Sequence, residues 1–292
     1  MNRTSSGWVN GFMGIAIFAG SLPATRVAVA DLDPIFLTCA RAAIAGVLGL
    51  ALLLLLRQPR PALADLPALA LTALGVVLGF PLFTALALRH VTSAHSIVFV
   101  GLLPLCTAIF AVLRGGERLR LPFWVFSVIG AACVAGYAAA GAAVGDASET
   151  SWRGDLYMLA AIVVCGLGYA EGARLSRSLG GWQVICWALV LSLPVMLPAA
   201  LWAAPSTFAR VGAAAWVGFA YVSVFSMLIG FFFWYRGLAL GGIAAVGQLQ
   251  LVQPFMALGL AALLLHEQVS WHMLVVTLAA VACVAGARRY AR

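Results

Sequence analysis

Two stretches of equal length decide how this chain folds: PLCTAIFAVLRGGE at 104–117 and PFMALGLAALLLHE at 254–267. Each opens on proline, stays apolar, and closes on glutamate after 12 intervening residues. They stand 150 residues apart, and that offset recurs around them. CVAG occurs at 133–136 and again at 283–286, Phe83 matches Phe233, Leu88 matches Leu238 and Ala94 matches Ala244. No gap is needed anywhere in that register. A tetrapeptide alone could recur by chance in a chain rich in Ala, Val and Gly. Proline and glutamate held in the same register make chance a poor explanation.

The repeat lies in a very apolar chain. Of 292 residues, 64% are hydrophobic and 9% charged, with a mean hydropathy of +1.07, against about 25% charged in a soluble domain. Apolar runs of about 20 residues, each long enough to cross a bilayer as helix, recur throughout. They lack the alternation of a transmembrane barrel. The expected class is an all-α polytopic membrane protein. Ten spans are predicted at 8–30, 34–56, 66–88, 92–113, 121–143, 154–174, 183–202, 213–235, 243–265 and 270–287. The N-terminal MNRTSSGWVNGF runs directly into the first of them and is expected to be retained rather than cleaved.

Charge gives the orientation. All 17 basic residues are arginine. At the termini and even-numbered connections 12 of them collect, against Arg89, Arg153 and Arg210 on the other side. By the positive-inside rule both termini face the cytoplasm, in a cell inner membrane. Trp8, Trp152, Trp182, Trp202, Trp216 and Trp271 fall near span ends, where indoles anchor at the interface. The bilayer accounts for the basic pI, and no recognition motif points to nucleic acid. The six cysteines all lie in apolar segments without a C-x-x-C, so no metal, cofactor or disulfide framework is implied. Neither a Ser/His/Asp grouping nor H-E-x-x-H nor a paired carboxylate appears, so no enzyme is expected. No obligatory protein partner is evident.

The domain reading is a first five-helix repeat at 8–143, a linker at 144–153 and a second repeat at 154–290. Five is odd, so the units cross the membrane in opposite directions. Inverted repeats of this kind build many secondary transporters, with substrate near the midplane between the halves. The two P-x12-E helices in two five-helix units resemble the drug/metabolite transporter superfamily, and its EamA-type ten-helix exporters in particular. Arg41 resembles an arginine often found early in the second span of that family. The sequence as a whole is most similar to YddG-type exporters of aromatic amino acids. That resemblance implies export of small metabolites, amino acids included, by alternating access, with efflux of neutral drugs as the alternative. The small multidrug members place a glutamate in their first helix. Here that span has no carboxylate, which argues against a proton/cationic-drug antiporter of that type.

Polar residues inside the spans are the site candidates. At 100° per residue, Gln248 points away from Gln250 and Gln253, and position 245, the repeat counterpart of His95, lies 60° from Gln248. Gln248 and His95 are therefore read as facing one cavity, with Phe99 and Leu251 a turn further and Phe83 and Tyr235 as aromatic wall. These six are the expected substrate contacts. For Gln248 the alternative is interhelical hydrogen bonding, and for His95 a structural bond. Gln250 and Gln253 are expected to bond neighbouring helices. Pro104 and Pro254 are read as hinges, Glu171 as the partner of Arg174, Arg26 as reaching the interface, and Glu117 and Glu267 as capping or gate contacts. A cavity with aromatic walls and few charges suits a zwitterionic amino acid with an apolar side chain.

Overall fold

A computed structural model describes residues 3–115, 120–143, 152–241 and 246–290. Among them every regular element is helical, and the helices follow the ten predicted spans. The second (Pro34–Leu55), sixth (Trp152–Leu175), seventh (Gly181–Trp202) and tenth (Trp271–Arg289) are single helices. So is the fifth, Leu121–Ala143. Among the described residues seven segments are long and apolar enough to cross a membrane outright, and shorter apolar helices lie at Leu121–Cys133, Leu249–Leu265 and Trp271–Cys283. Most of the linker, and Glu117 with it, lies outside the described residues.

Local chemistry starts the helices where loops meet spans. Asp33 accepts from the amides of Ile35 (2.8 Å) and Phe36 (3.3 Å), with Pro34 in the first turn, a standard acidic N-cap. Thr92 does the same for His95 at the head of the fourth span. Most buried hydroxyls within spans return to their own helix: Thr72, Thr84, Thr107, Ser176, Ser192 and Ser223 each donate to the carbonyl four residues back.

The interrupted spans obey the 150-residue register. The fourth is broken after Ser93–Val100 and restarts at Leu103–Gly115; the ninth runs as a 3-10 helix over Gly247–Leu251 and restarts at Gln253–Leu265. Pro104 and Pro254 each take the second position of the new helix, where a missing N–H costs nothing. The third and eighth spans carry π-helical segments at Ala73–Gly79 and Tyr221–Ile229, ending 150 residues apart. The first span departs from this pattern. It breaks at Gly20 between Arg3–Ala19 and Ser21–Asp31, while its counterpart, the sixth, is continuous. The Ile17 carbonyl there accepts from the Gly20 amide at 3.3 Å and from the Tyr221 hydroxyl at 2.8 Å.

The halves interleave rather than sit side by side. The first span packs on the eighth and the third on the sixth, two pairings that exchange under the repeat; the second packs on the seventh and the fifth on the tenth. Backbones touch where glycine permits. A Cβ on Gly75 would lie 2.6 Å from the Val164 carbonyl, and one on Gly237 2.6 Å from the Gly11 amide. Close approach through small residues is how membrane helices gain packing without a hydrophobic driving force between them.

Candidate functional site: a cavity between the halves

A cavity lies where the two π-segments face each other. Val76, Phe80 and Pro81 line it from the third span, and Ser226, Met227 and Phe231 from the eighth. Val76 and Pro81 correspond to Ser226 and Phe231 under the repeat, so the two halves present matching positions. The first span adds Phe18, Ser21 and Leu22 at its Gly20 break, the second Arg41, the fourth Val100, the sixth Cys165 and Tyr169, and the ninth Gln253. About 20 Å³ is free, room for one water but not for a metabolite. The helices must therefore part before the site can hold a metabolite.

The lining combines aromatic and polar side chains. Phe18 meets Phe231 edge-on at 4.9 Å between centroids, and Tyr169 lies 6.0 Å from Phe231. Ser21 and Ser226 share a hydrogen bond of 2.7 Å, and Arg41 Nη2 donates to Ser226 Oγ at 3.2 Å.

Polar contacts close both ends of the bundle. At the end carrying the Asp31–Pro34 loop, Glu267 accepts from the Ser93 amide (3.1 Å), the Ser93 hydroxyl (2.7 Å) and the Ala94 amide (2.7 Å). It thereby caps the fourth span from the second half. Asp31 accepts from the Gly212 amide at 2.8 Å, and Arg26 donates to the Leu88 carbonyl. His95 and Asp155 meet there at 2.6 Å, both buried. At the opposite end Glu171, 0% exposed, is held by Arg174 at 2.8 Å and by Arg114.

Among the described residues the structure brings His95 and Phe99 together but does not gather the expected substrate contacts around the cavity. The side chain of Gln248 lies outside the described ones, and none of the other five lines the cavity. His95 is engaged with Asp155, and Phe99 packs on it at 5.7 Å. Phe83 stacks on Tyr157 at 6.3 Å, and Leu251 packs beside Leu105 and Phe123. Tyr235 stands behind the wall, 5.3 Å from Phe231, its hydroxyl directed to the Gly168 carbonyl at 3.4 Å.

The glutamines differ most from expectation. Gln253 faces the cavity, and neither Gln250 nor the Gln253 carbonyl oxygen bonds a neighbouring helix. The cause is the 3-10 stretch, which turns about 120° per residue and voids an α-helical phase. The expected Glu171–Arg174 pair is present, with Arg114 added, and Glu267 caps as anticipated. Two features fall outside the six expected contacts. Arg41 was a candidate by default, as the one charge in its span, whereas Asp155, at a span boundary, gave no signal.

A bundle of helices long and apolar enough to cross a membrane, its halves enclosing a small cavity, is the build of a membrane carrier. The EamA-like transporter family model matches twice, at residues 5–138 and 152–288. This chain belongs to the EamA-like transporter family, and is a multi-pass membrane transporter rather than an enzyme. It is 62% identical, over the full length of both chains, to an uncharacterized transporter, YdeK, of Bacillus subtilis (strain 168). A solved crystal structure is similar over 97% of this chain and 96% of its own, with a TM-score of 0.66 and 21% identity. That likeness shows the fold.

Proposed function

We propose that this transporter exports small amino acid-type metabolites, aromatic amino acids included, from the cytoplasm across a cell inner membrane. The arginine imbalance supports cytoplasmic termini. The two repeats, 8–143 and 154–290, act as units that exchange conformations, with the breaks before Pro104 and Pro254 as hinges. The observation that carries the reading is the cavity itself. It draws on both halves, has Phe18, Phe80, Tyr169 and Phe231 as walls, and contains a single charged side chain. Such a lining suits an amphipathic ligand of low net charge. The resemblance to aromatic amino-acid exporters points the same way.

The test is counterflow in proteoliposomes. Purified protein is loaded with each unlabelled amino acid in turn and given the labelled one outside. Saturable exchange of phenylalanine, tyrosine or tryptophan is the expected result. Exchange of neutral aromatic compounds with no amino acid exchanged would favour efflux of neutral drugs instead.

A further inference from the structure

Arg41 has more hydrogen-bonding capacity than the protein uses. It is 4% exposed, one nitrogen donates to Ser226, and its Nε–H has no partner. Among the described residues no carboxylate lies within ion-pair distance of it. The other buried ionisable groups are differently placed: Glu171 sits between two arginines, and Asp155 faces His95. A guanidinium stays charged in a protein, and an unpaired buried charge is costly. Its planar fork matches a carboxylate in a way that a hydroxyl does not. Gln253 adds a second unused group to the same cavity, since its buried carbonyl oxygen also lacks a partner.

We propose that Arg41 anchors the carboxylate of the transported molecule while the Gln253 carbonyl accepts from its ammonium. This assignment rests on the cavity being the substrate site. One cation and no second positive charge fit a monoanionic head group rather than a phosphate dianion. The carrier should therefore require a free carboxylate, and the aromatic walls should receive the apolar remainder.

The test uses full-length protein with four probes: phenylalanine, phenylalaninamide, phenethylamine and phenylpropionate. Phenylalanine and phenylpropionate should raise the melting temperature of the wild type, because they bind the folded state; the amide and the amine should not. Arg41→Gln should abolish that difference and raise the KM for phenylalanine roughly tenfold or more, as loss of a charge-assisted bond would. Arg41→Lys should keep a weakened preference, and together with the wild-type probe series it decides the matter if the Gln variant does not fold. If phenylalanine is exchanged but folded Arg41→Gln keeps the wild-type KM, the anchor is wrong and the amino-acid reading stands. If no amino acid is exchanged yet phenylpropionate stabilises wild type and not Arg41→Gln, the reverse holds. Equal binding of amide and acid by wild type, stabilisation by inorganic phosphate in place of carboxylates, or no shift with any probe would overturn the assignment.

Discussion

Glu171 and Gln250 are both buried, and opposite outcomes are expected on replacing them. Glu171 is enclosed by Arg114 and Arg174, whose own side chains are about half exposed. Removing the carboxylate deletes both ion pairs and leaves a void, but water can reach the half-exposed guanidiniums, so the cost falls below the roughly 3–5 kcal/mol of a charge left buried and unpaired. Glu171→Ala should lower the melting temperature of the detergent-solubilised protein. Arg174→Ala, which leaves Arg114 in place, should cost about 1 kcal/mol or less. Gln250 is 1% exposed, and neither polar atom of its amide finds a partner. An apolar side chain of similar shape removes that desolvation penalty, so Gln250→Leu should melt at or above the wild-type temperature. A drop of several degrees would show that the amide is bonded after all.

Two glycines separate packing from mere composition at the level of helices. A Cβ on Gly75 would lie 2.6–2.8 Å from backbone atoms of the sixth span, whereas one on Gly259 would meet nothing within 4 Å. Gly75→Val should therefore part the third and sixth spans and reduce folded yield, while Gly259→Ala should match wild type in size-exclusion profile and melting. Both residues look alike in sequence, since neighbours across a helix contact are absent from a local pattern. Span positions were legible because hydrophobic length is a local property, and the two prolines marked where the fourth and ninth helices restart. The π-segments and the Gly20 break were not legible, because they depend on contacts such as Tyr221 with Ile17. The glutamine faces failed for a related reason: a phase calculation presumes the helix type that the Gly247–Leu251 stretch does not adopt. Ser226, deep in an aromatic-rich span, became part of the site only once folding brought it to Ser21 and Arg41.

For the molecule as a whole, the proposed orientation rests on the 12-to-3 arginine imbalance. In a cysteine-free background, a thiol near Pro59 should resist an impermeant reagent outside intact cells, and one in the 147–150 linker should react; the reverse pattern would invert the assignment. Closure is a second whole-molecule property. Glu267 joins the two halves through three hydrogen bonds to Ser93 and Ala94. Glu267→Ala should loosen that end, so that a cysteine at Val100 is labelled faster from that side than in the parent; an unchanged rate would mean that other contacts hold it shut. The broken first span and its unbroken counterpart, the sixth, carry a kinetic consequence. Two halves that are not identical lose the symmetry that would force their two empty states to equal free energy, so the fold permits one facing direction to be more populated at rest. Half-saturation on the two faces then differs by an amount set by that population ratio. For a passive carrier, detailed balance still ties the two faces to a common Vmax/KM. In that passive case an asymmetry such as the Gly20 break can change how strongly each compartment must load the carrier, but the concentration gradient still sets which way net flux runs.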